Sequence, residues 1–400
     1  MPEAERTFPS IFLSPPIQFL IGLLLFIALL NRDRDLTILA LLILGIGGGV
    51  RLWARMSLLR LSADLSVDRR KVFPGEGLSV QVQAQNRKFL PVWLRIEVPI
   101  TDGLAPSEGK GMLCQAIPLL WYQRTEMKWE LTARRRGVHR IGPISMVTGD
   151  LFGFFPRERR NSAGCEVLIY PRIFPMRSIH FPRRDLFGLP GERSPVKDPI
   201  FILGTRDYQN GQPSKHIHWK ASARHQRLQE KVFEPSEQEK VLMALDVDSF
   251  IAHGAEEDFE ATLEAMASLA AHLDRRGIAV GLVTNASLSG GGLGLLPIAR
   301  NHQQLPAILE LLARLEIQRQ GDLLDLLSPA LTLTWGVSCF HFSYGEVEIL
   351  QKADAYFWKR RIPALFLVSR AASSSPKEAE AKIPPMLSLD ELGVKRGGRG

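Results

Sequence analysis

The order of hydrophobic and polar positions changes character three times along the chain. Two nearly unbroken apolar runs come first, PPIQFLIGLLLFIALL at residues 15–30 and LTILALLILGIGGGVRLW at residues 36–53. Each approaches the roughly 20 apolar residues that a helix needs to cross a bilayer. Only Asn31, Arg32, Asp33, Arg34 and Asp35 separate them. The expected structure is an N-terminal transmembrane helical hairpin over residues 1–56, with the backbone groups satisfied inside each helix. A cleaved signal sequence does not fit, because the second run follows at once and no small-residue cleavage site precedes it. Arg51, Arg55 and Arg60 flank the second run, and Arg69, Arg70 and Lys71 follow soon after. That excess of basic residues places both termini, and the rest of the chain, in the cytoplasm.

From residue 57 to residue 172 the period becomes two. LSVQVQAQN (78–86) alternates apolar and polar residues, and VWLRIEVPI, MKWELTAR, HRIGPISMVT and CEVLIYPR continue the short extended runs. Turn signals at Pro74-Gly75, Thr101-Asp102-Gly103 and Arg136-Gly137 punctuate them. Short alternating strands with turns at this spacing predict an antiparallel β-sandwich domain.

The third pattern, over residues 236–370, alternates apolar strands with helical periods. Strands are expected at 240–248, 278–284, 333–342 and 364–368, and helices at 259–275, 302–318, 322–327 and 346–361. Such alternation with largely apolar strands predicts a doubly wound α/β domain around a parallel sheet, whose ligands bind at the C-terminal ends of the strands. Residues 371–400 are rich in Ser, Pro, Lys and Gly and are expected to be a disordered tail. Within it, residues 383–392 are a candidate docking peptide.

Between the β and α/β segments, residues 173–235 carry the densest chemistry. Arg206, Tyr208, Lys215, His216, His218, Trp219, Lys220, Arg224, His225 and Arg227 crowd a short stretch. Asn210-Gly211 signals a turn and Ser214 a helix start. On the helix expected to follow, His216, Lys220 and Arg224 fall at i, i+4 and i+8 and make one basic stripe. Two readings fit it: a binding face for a phosphate or a row of partner carboxylates, or a solvated face whose stems pack on Trp219. His216 and His218 diverge on a helix and no third ligand stands nearby, so they do not read as a metal pair; His218 reads as a hydrogen-bonded structural residue. At the end of the first α/β strand, Asp246, Asp248 and Ser249 cluster, and Thr284 ends the second strand. Carboxylate and hydroxyl oxygens at one sheet edge suit a hard cation such as Mg²⁺; alternatively the two carboxylates cap the loop and the next helix.

Composition narrows the field. Lys plus Arg number 50 against 42 Asp plus Glu, a net charge of +8. This balance favours acidic partners, and for a membrane chain the nearest is the anionic inner leaflet. The three cysteines, Cys114, Cys165 and Cys339, are far apart and show no CxxC spacing. Neither a zinc site nor a disulfide framework is indicated, in keeping with a reducing compartment. No GxxxxGK[ST] loop, HExxH pair or GxSxG elbow occurs.

The chain resembles the bacterial domain-of-unknown-function family number 58. The residues carrying the likeness are Phe73-Pro74-Gly75-Glu76, Arg135-Arg136-Gly137 with Gly142-Pro143, Leu151-Phe152-Gly153 and Tyr170-Pro171-Arg172. The most specific run is Gly204-x-Arg206-x-Tyr208 through Ile217-His218-Trp219-Lys220, Ala223-Arg224 and Phe233-Glu234. Two positions depart from the family pattern: Gly211-Gln212 where the family has Gly-Asp, and Lys215 where it more often has Arg. The resemblance implies a bacterial plasma-membrane protein with a membrane hairpin, a β domain and a von Willebrand factor type A-like domain. It also implies association with MoxR-type AAA+ ATPases and with transglutaminase-like membrane proteins. In von Willebrand type A domains the comparable sheet edge reads Asp-x-Ser-x-Ser and helps bind Mg²⁺; here Asp246 matches, while Asp248 and Phe250 replace the two serines.

Three functions follow as expectations. The first is a membrane-anchored adaptor that joins a AAA+ machine to an envelope-related assembly task. The second is a metal-assisted hydrolase built on Asp246 and Asp248, with Arg206 and Lys220 as anion clamps. The third, a nucleic-acid binder, lacks any recognisable motif, and no nucleic-acid partner is expected.

Overall fold

The computed structural model describes residues 15–32, 34–106, 111–149, 156–161, 164–175, 197–208, 214–235, 240–331, 337–360, 362–369 and 386–388. The chain divides into two compact units, Met1–Tyr170 and Pro171–Gly400.

The first unit opens with α1 (Pro15–Leu30) and α2 (Arg34–Ser57). Among the described residues α2 is the one helix long and apolar enough to cross a membrane; α1 contributes a shorter apolar stretch, Phe19–Leu30. Both helices leave large apolar side chains outward, among them Phe26, Ile38, Leu42 and Leu52, while the small Ala28 and Ala40 are buried. A water-facing helix would place polar residues at such positions.

The strands β1 (Leu61–Val67), β3 (Gly77–Asn86), β7 (Arg124–Ala133) and β5 (Leu104–Pro106) form one sheet in that spatial order. A second sheet runs β10 (Arg157–Asn161), β9 (Ile144–Thr148), β4 (Val92–Pro99) and β6 (Met112–Leu119). All neighbours in these two sheets are antiparallel. A smaller sheet joins β2 (Lys71–Val72), β11 (Cys165–Ile169) and β8 (Gly137–Ile141). The expected alternation is present in β3, where Leu78, Val80, Val82 and Ala84 are buried between less buried polar neighbours. They share one core with Leu94, Ile96 and Val98 of β4 and Met127 and Leu131 of β7. The period-two pattern therefore encodes a β-rich unit in which both large sheets line the same apolar interior.

Lys88, in the turn after β3, ties this β structure to α2. Its Nζ donates to the carbonyl oxygens of Met56 and Leu59, each at 2.9 Å, and to that of Ser57. An ammonium with three protons thus serves carbonyls at and just beyond the C-terminus of α2. Burial lowers the Lys88 pKa to about 8.

In the second unit, β12 (Lys197–Asp207) and β13 (Gln229–Pro235) form an antiparallel ribbon. A 3-10 turn, Ser214–His216, and the helix α3 (Trp219–His225) lie between them in sequence. The α/β portion follows as β14 (Lys240–Leu245), α4 (Asp248–His253), α5 (Glu256–Arg275), β15 (Ala279–Thr284), β16 (Ala286–Leu288), β17 (Leu295–Ala299), α6 (Gln304–Arg314), β18 (Leu315–Arg319), α7 (Leu323–Leu331), β19 (Val337–Ser343), α8 (Val347–Lys359), β20 (Ala364–Val368) and β21 (Met386–Ser388). Six strands make one sheet in the order β17, β15, β14, β19, β20, β21, parallel except for β17. Leu242 and Ala244 of β14 pack with Leu323 and Leu327 of α7 and with Leu350 and Phe357 of α8. Val241, Met243 and Leu245 alternate with them and are also fully buried, so both faces of the strand are covered.

Several expectations change here. The helix expected over 302–318 ends at Arg314, and Leu315–Arg319 is a strand paired with β16. Leu-Glu-Ile-Gln-Arg alternates with period two, and Leu315 takes extended angles (φ −67°, ψ 135°), so the helix stops where the alternation begins. The strand expected over 240–248 ends at Leu245, and Asp248 opens α4 instead. β17 contains Pro297, which confines it to the sheet edge, where it lies. Met386–Ser388, inside the tail expected to be disordered, pairs with β20. The tail's other residues lie outside those described.

Candidate functional site

Two neighbourhoods of the second unit hold the residues singled out by the sequence. The first is α3 on its ribbon. The continuous basic helix expected from Ser214 is broken: His216 sits in the 3-10 turn, Ile217 bridges to Glu230, and α3 begins only at Trp219. His218 is the reason for the break. Its backbone N–H donates to Gln229 O at 2.7 Å, pinning it to β13, and its Nδ1 accepts from Ala221 N at 3.1 Å as the helix cap. His216 therefore does not share a helical stripe with Lys220 and Arg224, and the first turn of α3 is already capped by the chain itself.

Ser222 completes the attachment. Its Oγ donates to His218 O at 3.0 Å and accepts from Gln229 N at 2.8 Å. Tyr208, half-buried, donates its N–H to Leu228 O at 2.8 Å. Arg206 stands opposite Glu230 in the ribbon, its Nε 3.2 Å from Glu230 Oε2. Glu230 is 1% exposed, so Arg206 is the counter-charge of a buried carboxylate rather than a free anion clamp. Three residues of the signature, Arg206, Tyr208 and His218, thus build the frame together with Ser222.

The frame presents a different set outward. Trp219 is 69% exposed and Leu228 49%. Lys215, Lys220, Arg224 and Arg227 are exposed around them. Among the described residues Lys220 and Arg224 enter no ion pair. A large indole thus stands among exposed cations on a helix that buried hydrogen bonds fix to the ribbon. The Gly211-Gln212 departure lies outside the described residues.

The second neighbourhood is the C-terminal edge of the parallel sheet. Asp246 leaves β14 with its N–H on Phe342 O at 2.9 Å. Its Oδ1 accepts from Asp248 N at 2.9 Å and from Asn285 Nδ2 at 3.3 Å. Asn285 Oδ1 in turn accepts from Val247 N at 2.9 Å. Asp248 faces Arg319, with Nε 3.4 Å from Oδ1. Burial pushes the Asp246 carboxyl above the ordinary carboxylate value, with Asp322 adding repulsion; the two hydrogen bonds and Arg319 oppose the shift. Asp248 is pushed up by burial and by Asp246, and Arg319 again opposes.

The donor set is poorly arranged for Mg²⁺. Ser249 Oγ accepts from Tyr344 N at 3.0 Å, and Thr284 Oγ1 accepts from Ala286 N at 3.1 Å. Among the described residues no three His, Cys, Asp or Glu side chains converge on a common point. The Arg319 guanidinium faces Asp248 and brings positive charge near both carboxylates. Phe250, where the type A pattern has a hydroxyl, is fully buried edge-on to Phe259 at 5.6 Å and to Tyr344 at 5.9 Å. The capping reading holds for Asp246, whose Oδ1 receives the N–H of the first residue of α4. Sequence reasoning missed Ser222, Glu230, Asn285 and Arg319. None of the four carried a distinctive signal: Glu230 is one of three carboxylates, with Asp207 and Glu234, between Gly204 and Pro235.

Residues 204–327 match the family described as protein of unknown function DUF58. This match begins within β12 and ends in α7, so α3, β13, the end of β12 from Gly204 and the residues Asp246, Asp248, Asn285 and Arg319 all fall inside it. The family-like residues that precede Gly204 lie outside this match, and Leu151-Phe152-Gly153 lies outside the described residues. The chain is 25% identical over 255 residues to the uncharacterized protein YeaD of Bacillus subtilis (strain 168), covering 63% of this chain and 61% of that one. The chain therefore spans less than two thirds of that relative. Among solved structures, the CARDB domain of the PF1109 protein from Pyrococcus furiosus matches 27% of this chain and 91% of its own, at 14% identity and a TM-score of 0.21. A type II cohesin domain from Acetivibrio cellulolyticus matches 27% of this chain and 94% of its own, at 10% identity and a TM-score of 0.22.

Proposed function

We propose that this protein is a membrane-anchored adaptor whose DUF58 segment docks an acidic face of a cytoplasmic partner. The observation that carries the reading is the division of labour over residues 204–235: Arg206 pairs across the ribbon, His218 and Ser222 fix α3 to it, and Trp219, Lys220 and Arg224 are held outward, the two cations without ion-pair partners among the described residues. Residues that build a rigid frame and then expose an indole among cations suit recognition of a protein surface. α1 and α2 serve as a two-span hairpin with both termini in the cytoplasm, supported by the apolar outward faces and by Arg51 and Arg55 at the α2 exit. The parallel sheet with Asp246 at its C-terminal edge is in keeping with a von Willebrand factor type A-like domain whose metal function Arg319 has replaced. The partner proposed, on the family resemblance, is a MoxR-type AAA+ ATPase, with a transglutaminase-like membrane protein as a proposed further component.

The hydrolase alternative would require Arg319 to leave Asp248 and a cation to enter. The test is purification of the tagged chain in mild detergent from its native membranes, beside a Lys220→Glu/Arg224→Glu variant. A AAA+ ATPase retained by the native chain and lost from the variant supports the proposal. Retention by both moves the docking surface elsewhere, and saturable Mg²⁺ binding abolished by Asp246→Asn turns the reading to the hydrolase.

A further inference from the structure

At the end of α2 the β-rich unit carries an apolar tip for which no soluble role is evident. Phe89 is 74% exposed, Tyr122 67%, Trp121 53% and Leu120 51%. Phe89 and Trp121 stack with ring centroids 5.7 Å apart and planes 20° from parallel. They come from two different turns, 87–91 and 120–123, that are fastened together. Asn86 Nδ2 donates to Leu90 O and Leu120 O, each at 2.9 Å, and Tyr122 N donates to Lys88 O at 3.2 Å. Leu120 N donates to Gln123 Oε1 at 2.8 Å. The hydrogen bonds hold the aromatic rings out rather than letting them collapse inward. Contiguous exposed apolar groups of this kind mark a binding surface.

The first of these turns reaches the end of α2, which among the described residues is the helix long and apolar enough to cross a membrane. Lys88, next to Phe89, bonds Met56, Ser57 and Leu59, and Arg87 N donates to Arg60 O at 3.0 Å. Trp53 precedes the end of α2 by four residues, about 6 Å along the axis at 1.5 Å per residue. That distance is comparable with the headgroup layer on one side of a bilayer, roughly 5–8 Å. Arg51, Arg55, Arg60 and Arg87 accompany the tip with no acidic residue from Arg51 to Arg60 or in either turn.

We propose that Phe89, Leu120, Trp121 and Tyr122 form a wedge that inserts into the headgroup–acyl boundary of the anionic leaflet from which α2 emerges. The pieces match that occupant: amphipathic aromatics favour the interface, the surrounding arginines meet lipid phosphates, and the Lys88 clamp keeps the wedge at the helix exit. The β-rich unit is thereby seated on the membrane as well as tethered to it. This inference rests on the membrane reading of α2.

The test uses the full chain reconstituted into phosphatidylethanolamine–phosphatidylglycerol vesicles. Trp121→Phe and Trp53→Phe each remove one indole, so the difference from the native spectrum reports that indole alone. Phe89→Trp supplies a second probe of the tip. The wedge predicts that emission from Trp121, and from the indole introduced by Phe89→Trp, is lost to brominated lipid and protected from aqueous acrylamide, as Trp53 emission is. If Trp53 is quenched by lipid and the tip by acrylamide alone, the wedge is overturned and the anchor stands. Should neither be quenched by lipid, the membrane reading fails with it. Protection of the tip from both quenchers also overturns the proposal, because protein, such as a second copy, then covers it.

Discussion

Arg206 and Glu230 face each other across the β12–β13 ribbon, the carboxylate 1% exposed and the guanidinium 43% exposed, with 3.2 Å between Nε and Oε2. α3 is bonded to this ribbon, so the pair supports the exposed face of α3 without belonging to it. Arg206→Ala leaves a buried carboxylate unpaired. It is expected to destabilise the chain by roughly 1–3 kcal/mol, below the full cost of breaking a fully buried pair because Arg206 is partly solvated. Thermal unfolding of the detergent-solubilised chain reads the loss, and Arg206→Ala/Glu230→Gln should recover most of it. No recovery would mean that Arg206 acts outside the ribbon.

Asp246 carries the opposite signature, a carboxyl that burial makes costly to ionise. Its folded pKa lies above the unfolded value, so the folded state holds its proton longer. The associated stability is fully present below the ordinary carboxylate value and is lost as pH rises through the raised folded one. Asp246→Asn keeps an oxygen for the N–H groups of Asp248 and Asn285 and removes the charge. The expected outcome is a higher unfolding temperature at neutral pH, with the gain shrinking as the solution is acidified. A lower unfolding temperature at neutral pH would show that the hydrogen bonds from Asp248 and Asn285, with Arg319, favour the ionised carboxylate more than burial disfavours it.

His341 lies in the middle of β19, fully buried, with neither ring nitrogen hydrogen-bonded among the described residues. Its neighbours are the rings of Phe366, 5.2 Å away, and Phe357, 6.3 Å away. Burial lowers its pKa from 6.5 to about 4. The unfolded chain therefore takes up the proton first, and stability present above 6.5 is lost as pH falls towards about 4. His341→Met should stabilise the chain by about 1–3 kcal/mol, the cost of a buried unsatisfied polar group, and should flatten that acid-side loss. An unchanged acid limb would assign the loss to other groups.

Much of the fold was legible because hydropathy period tracks burial. Leu78 to Ala84 alternate in sequence and in accessibility, and Val241 to Leu245 form an unbroken apolar run because both sides of β14 are covered. The misses arose where tertiary contacts override a local pattern. Residues 214–225 have an acceptable helical period, yet the His218 backbone bond to β13 divides them into a turn and a shorter helix. Leu315–Arg319 reads as the end of an amphipathic helix until its partner β16 is placed beside it. The identity of the signature residues was readable and their roles were not. Arg206 and Lys220 carry the same charge, and only burial of Glu230 separates a structural cation from an exposed one.

The central claim is that the exposed face of α3 contacts a AAA+ ATPase. The most direct measurement places a photo-crosslinking amino acid at Trp219 in the full chain, in its native membranes, with a second placement at Trp358 of α8, which is 82% exposed, as the comparison site. The account predicts a crosslink from position 219 to a MoxR-type AAA+ ATPase, lost when Lys220→Glu and Arg224→Glu are added, and none from position 358. Crosslinks to that ATPase from position 358 but not from 219, or only to lipid or to the chain itself at 219, would contradict it.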